Sequence, residues 1–354
     1  MKKITAILVM SAMLLSFASC GKKDSSEKND SNSSSAEPAQ TTAEETTAAP
    51  ESTESGNNKD NKNVNINDYI TVDTPTPALW KATDPETGNE LYLMGTIHVI
   101  SEEKFSLPDY ILDVYENSDG VAVEYDVREL EDMSVIQDFV KYMVYTDGTK
   151  ISDHISDEAY EAGKSCLQDL GMYNSMLDVY MPGFWLNQIE AMTMMSIEDL
   201  SNDGVDSKFI DMAANDGKEV INIETLEIQA NVMAGYPDDY ADYCLKSLPD
   251  EINDKATLAD YLGQLYDMWA SGKIDEMEKL DDEINDIPED LLDSYEKYND
   301  AILYKRNEGM ADRAAEFLKN GDNYFFMVGS LHFSGDKGVD DLLEAKGYTV
   351  ERIH

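Results

Sequence analysis

Two copies of one short pattern, far apart in the chain, bring the residues best suited to chemistry. LYLMGTIHV places Gly95 and His98 in a Gly-x-x-His, and YFFMVGSLHF places Gly329 and His332 in another. Each follows a short apolar run, Leu91 to Met94 and Tyr324 to Val328, of the kind that forms buried strands. Chain leaving the carboxyl ends of parallel strands converges on one crevice, where ligands bind. Two imidazoles delivered there can share a metal ion or a substrate. Either His alone could equally be a satisfied core residue. The chain has 4 His, however, and two of them occupy the repeated pattern. Of the others, His154 sits in KISDHISDEAY, a loop leading into a helix start, and His354 is the last residue, expected to fray.

The elements that must position these residues read as α/β. ALWKA and LYLM flank the turn-rich DPETGN and form a hairpin. A helix follows over Pro108 to Asn117, then the strand VAVEYD, ending at Glu124. The stretch from about Arg128 to Met195 reads as a long helical region, whose AMTMMS is core packing rather than a metal site. Val205 to Asn215 is helical, and KEVINIET is a strand leading to Glu224. From Thr225 to about Phe317 the pattern is amphipathic helix. The second Gly-x-x-His strand, a Gly-rich turn, a helix at Val339 to Ala345 and a strand at Tyr348 to Ile353 close the chain. The expected fold is a mixed, largely parallel central sheet with flanking helices and a large α-helical insert or cap.

Residues 1–20 read as an address. Lys2 and Lys3 precede the apolar Ile4 to Leu15, which is too short for a comfortable membrane span. Phe17-Ala18-Ser19-Cys20 resembles a bacterial lipobox, which implies cleavage before Cys20, lipid on its sulfur and attachment to the extracytoplasmic face of the cell membrane. Residues 21–65 are rich in Ser, Thr, Glu, Ala and Asn, and they cannot bury enough apolar surface to offset ordering entropy. As a flexible tether they would reach about 35–40 Å. The folded domain is expected over residues 66–354.

With Lys+Arg 27 against Asp+Glu 72 the formal net charge is −45, which argues against nucleic acid as a partner, since phosphate binding needs clustered cations. Cys166 and Cys244 remain once Cys20 is assigned to the anchor. They permit one disulfide, but buried thiols are the simpler expectation.

The domain resembles the TraB/GumN family, which includes the animal Tiki proteins and is related to the erythromycin-esterase and ChaN-like group. The resemblance runs through ALWKA…LYLMGTIH, VAVEYD, GVDSKFIDMAANDGKEVINIETLEIQ, RNEGMADRAAEFL and YFFMVGSLHFSGDKGVDDLLEAKGYTVERI, with Ile223 where Leu is usual. It implies a site of His98, His332, Glu124 and Arg306. In Tiki proteins this pattern goes with metal-dependent proteolysis, so the resemblance implies a divalent ion, manganese or cobalt, and a peptide or protein substrate. Two imidazoles and a carboxylate can hold such an ion with an open position. Alternatively Glu124 is a general base outside the metal shell, and Arg306 neutralises an oxyanion. Simpler roles are a strand end for Glu124, pairing with Glu308 or Asp312 for Arg306, and helix-start and turn positions for Asp206 and Glu224. Another branch of the family is implicated in sensing or sequestering peptide pheromones, so a non-catalytic peptide-binding lipoprotein is the second expectation. A metal-independent, esterase-like hydrolase is a third.

Overall fold

The computed structural model describes residues 63–284 and 287–354. The signal segment, Cys20 and the tether up to residue 62 lie outside the described residues. Ordered contacts begin just before Ile66. The Glu198 N–H donates to the Val64 carbonyl, and the Asn65 side chain caps a short 3-10 turn over Ile66–Asp68.

The chain opens with β1 (Leu79–Thr83) and β2 (Glu90–Thr96), an antiparallel hairpin, and continues through the two-residue β3 (Ile100–Ser101). α1 (Asp109–Asn117) then leads into β4 (Gly120–Val123). The next stretch holds α2 (Met133–Lys141), α3 (Asp157–Asp169) and α4 (Pro182–Met194). The expected helical region is thus divided into three helices. Asp132, Ser156 and Asn174 each cap a fresh start, and Pro182 opens α4. β5 (Leu200–Ser201), α5 (Val205–Asp216) and β6 (Glu219–Asn222) follow. Then come α6 (Leu226–Ala234), α7 (Asp238–Ile252), α8 (Lys255–Ala270), α9 (Ile274–Ile284) and α10 (Leu292–Asn299). A π-helical segment, Asp300–Tyr304, runs into α11 (Lys305–Asn320). β7 (Tyr324–Gly329), α12 (Val339–Ala345) and β8 (Thr349–Arg352) complete the chain.

Six strands form the main sheet in the order β6-β4-β7-β2-β1-β8. The first four are mutually parallel, and β1 runs antiparallel to both β2 and β8. The fold is thus the expected mixed α/β. β4 and β7 are interior strands, each paired on both sides, and nearly every residue in them is buried. This is why their sequences, GVAV and YFFMVG, are continuous apolar runs rather than alternating ones.

β2 connects through α1 to β4, and β7 fills the place between them. The loops after β2, β7, β4 and β6 therefore leave from one end of the sheet, side by side. One core joins the sheet to α1, α5, α8, α11 and α12. A second, built on α3, α4 and α7 around Trp185 and Tyr240, is the helical cap. α4 is buried almost all round, as a central cap helix must be.

One smaller expectation changes. His354 does not fray: its ring stacks on Tyr110 at 3.8 Å, and its backbone pairs with Leu79. As expected, the thiols of Cys166 and Cys244 are buried and form no disulfide. No helix among the described residues is long and apolar enough to cross a membrane.

Candidate functional site at the strand ends

β2, β7, β4 and β6 release His98, His332, Glu124 and Glu224 at the same end of the sheet. Gly329, the last residue of β7, lies among them. A Cβ placed on it would meet Glu124 Oε1 at 3.2 Å, His332 Cδ2 at 3.6 Å and His98 Nε2 at 3.9 Å. Both motif histidines and the strand-end glutamate therefore surround one point. Glycine leaves this point open, and its N–H donates to Glu124 Oε1 at 2.6 Å. Gly95 serves a related purpose. A Cβ there would fall 2.8 Å from Ser330 Oγ and 2.9 Å from Ser330 Cα, so its absence lets the two motif turns touch.

His332 lies in a 3-10 turn, Ser330–Phe333, and is 3% exposed. Its Nδ1 meets Asn307 Oδ1. The Asn307 amide donates through Nδ2 to the Lys337 carbonyl at 2.8 Å, so Oδ1 must be the acceptor from His332. That assigns the proton to Nδ1 and leaves Nε2 as a lone pair, 3.6 Å from Glu124 Oε1. Burial lowers the His332 pKa, and the Arg306 charge adds to it. The result is about 3 despite the opposing pull of Glu124.

His98 has a different partner. Its Nδ1 lies 3.3 Å from Asp206 Oδ1, an ion-pair contact without hydrogen-bond alignment. Asp206 stands in the first turn of α5, and the Val205 N–H at the head of that helix donates to the Ile97 carbonyl. Burial lowers the His98 pKa, but Asp206 first and Glu124 after it outweigh burial and raise it to about 9. The side chain remains a fifth exposed, 20%.

Glu124 is 12% exposed at its side chain, and Arg306 is 5%. Nη2 of Arg306 donates to Glu124 Oε2 at 2.5 Å and to Glu224 Oε2 at 2.8 Å. Nε donates to Glu224 Oε1 at 2.9 Å, and Nη1 to the Ile302 carbonyl at 2.9 Å. Gln229 Nε2 bridges the same two carboxylates. Burial raises the Glu124 pKa, but Arg306, His332 and His98 outweigh it and hold the carboxyl well below the usual range. For Glu224 burial prevails over Arg306, and the pKa is raised.

The expected set of His98, His332, Glu124 and Arg306 is thus brought together. Arg306 meets buried acids rather than the surface Glu308 or Asp312, and four of its N–H bonds are already committed. It is placed as a clamp on Glu124 and Glu224. Sequence reasoning gave Asp206 and Glu224 too little weight and missed Gln229 and the role of Asn307. Glu224 carried a usable signal, since it ends a fourth strand as Glu124 ends the third. Among the described residues, no group of three or more His, Cys, Asp or Glu side chains stands gathered as a metal-holding cluster. The donor chemistry is nonetheless suitable, with a neutral imidazole Nε2, a second imidazole and a carboxylate around one point.

Metalloprotease TIKI2 of Danio rerio is 42% identical over 62 residues, 17% of this chain and 12% of that protein. Metalloprotease TIKI1 of Danio rerio is 39% identical over 62 residues, again 12% of its length. The chain therefore matches only a small part of these two relatives. The uncharacterized protein YbaP of Escherichia coli strain K12 is 23% identical over 266 residues, covering 75% of this chain and 92% of YbaP. No solved structure matches. The model of the TraB/PrgY/gumN family matches residues 78–352, from β1 to the last residue of β8, and the chain belongs to that family.

Proposed function

We propose that this protein is a metal-dependent hydrolase of peptides, held at the extracytoplasmic face of a membrane by lipid on Cys20. The observation that carries the reading is the convergence of His98, His332 and Glu124 on the open space at Gly329, with each side chain fixed by a residue behind it. His98 and His332 would hold a divalent ion, with manganese or cobalt as the candidates, and Glu124 stands within reach. When bound, such an ion acidifies water and polarises a carbonyl.

The chain's own residues set the terms. Asn307 keeps the His332 lone pair on Nε2, facing the shared space. Asp206 orients His98 and favours its protonated form, so ion uptake must displace a proton from it. Arg306, the two imidazoles and the Gly329 N–H hold Glu124 ionised against the effect of burial. A carboxyl kept so far below neutrality is a weak base, so Glu124 acts as a ligand or acceptor and not as the main proton acceptor. Arg306 acts through Glu124.

One observation favours a second reading, peptide capture without chemistry. Both Glu124 oxygens are already engaged, by the Gly329 N–H and by Arg306. The same experiment separates the two: metal analysis of the purified mature chain, then peptide-library cleavage with and without chelator. Hydrolysis lost on chelation and restored by the ion is the expected result. Peptides that bind yet stay intact under every metal condition would replace hydrolysis by capture. For the anchor, Cys20→Ala should move the protein out of the membrane fraction, and retention there would sink the lipid assignment.

A further inference from the structure

Beside the strand-end site a cavity of about 640 Å³ opens toward the helical cap. Glu224 and Arg306 form part of its wall, and Tyr142, Met181, Ile228, Val232 and Ile302 supply much of the rest. The cavity and the clamp on Glu124 therefore share residues. We propose that this cavity is the subsite for an apolar side chain of the bound peptide, kept open by Gly309; the assignment rests on the peptide-directed reading above.

Three independent features point to an apolar, uncharged occupant. The first is charge. In a chain with Asp+Glu 72, Glu224 is the single acidic residue on this wall, and it is neutralised by Arg306. Lys305, paired with Asp300 at 2.7 Å, is the other charged group there. Each charged group on the wall is thus already paired, and neither a cationic nor an anionic side chain finds a free partner there. The second is exposure. Ile228, in the first turn of α6, is 38% exposed on this cavity, an apolar side chain left facing open space. The third is Gly309. It lies one turn after Arg306 in α11, where glycine is less favourable than alanine. A Cβ there would meet nothing within 4 Å, so crowding does not require glycine. Its lack of a side chain leaves room for a ligand to approach the helix backbone. The π-helical Asp300–Tyr304 precedes it and places Ala301 and Ile302 on the same wall, and such segments often occur at functional sites.

The test uses the full mature chain with two fluorescently labelled pools of short peptides, one rich in Leu, Val and Phe, the other in Ser, Lys and Glu. Anisotropy should show the apolar pool bound about tenfold tighter or more, as expected for burying one apolar side chain. Gly309→Leu fills the cavity with a better helix former. It should melt at or above the wild-type temperature and lose that preference by about tenfold. Ile228→Glu, at an exposed position, should lose it as well. Equal binding of the apolar pool by wild type and folded Gly309→Leu would overturn the subsite, as would a wild type with no apolar preference. Mass spectrometry of the same mixtures reads hydrolysis separately. Preferential binding without cleavage sinks the hydrolase and leaves the subsite standing, whereas cleavage without preference does the reverse.

Discussion

After β2 the chain reaches His98 in an open bend, with Nδ1 facing the carboxylate of Asp206. After β7 it reaches His332 in a 3-10 turn, with Nδ1 facing the amide of Asn307. The motifs are the same and the strands are neighbours, yet one imidazole is raised to about 9 and the other lowered to about 3. A repeated motif fixes where an imidazole stands. The residue behind it, supplied from a distant helix, decides which proton it keeps. The pair is therefore asymmetric before any ligand arrives, with one ring a donor and the other an acceptor.

Removing Arg306 should disturb this asymmetry most, because its charge acts on both rings and on Glu124. Arg306→Met leaves two carboxylates buried without their cation and should cost about 3–5 kcal/mol. Urea denaturation at neutral pH measures it. A loss near zero would mean that Gln229 alone satisfies the two acids.

A smaller effect should follow from exchanging the partners. In chelator-treated protein, Asp206→Asn should bring the His98 pKa down from about 9 toward 6.5, and Asn307→Asp should raise that of His332 from about 3. Imidazole titration by NMR reads both. Stability follows with opposite signs. His98, raised on folding, stabilises fully below pH 6.5, and that contribution is lost as pH rises through 9. His332, lowered on folding, costs stability as pH falls from 6.5 toward 3, because only the unfolded chain takes up the proton. For the partly exposed His98 the span is on the order of 1–3 kcal/mol. If the alkaline slope survives Asp206→Asn, Asp206 is not its source.

The smallest change should come from a histidine outside the repeat, His154. His154 stacks on Tyr145 at 4.0 Å and meets Thr149 Oγ1 at 2.8 Å, just before α3 of the cap. His154→Ala should cost about 0.5–1.5 kcal/mol and leave peptide binding and metal uptake untouched. A change in either would tie the cap surface to the site and blur the contrast between motif and non-motif histidines.

Much of the site was legible because strand ends are legible. Apolar runs stopping at Gly95, Glu124, Glu224 and Gly329 mark where chain leaves a buried parallel sheet, and His98 and His332 follow by three residues. Arg306 came from resemblance alone, since nothing in KRNEGM distinguishes a buried cation from a surface one. Asn307 and Gln229 were invisible as partners because each acts across tertiary contacts, from α11 and α6, and a one-dimensional pattern carries no such pairing. Asp206 looked like an ordinary first-turn acid, which it also is. The stretch between Arg128 and Met195 is helical as its spacing suggests, but that spacing runs through the caps that divide it into three helices. Gly148, Gly171 and Pro182 were the breaks to notice.

The pairing of β2 and β4 with β7 has a consequence for how the molecule comes into being. Gly329 donates to Glu124 across 205 residues of sequence. A chain emerging from its N-terminal end can form the hairpin and much of the helical cap while the slot between β2 and β4 stands empty. The slot is filled, and His332 delivered, only when the final segment arrives. Nascent or C-terminally truncated chains thus lack His332 beside His98 and Glu124. The long loop closure predicts slow folding, with the site assembled among the last events rather than the first. The crevice then opens only when the middle of the sheet does, and its amides should exchange with solvent near the rate of global unfolding.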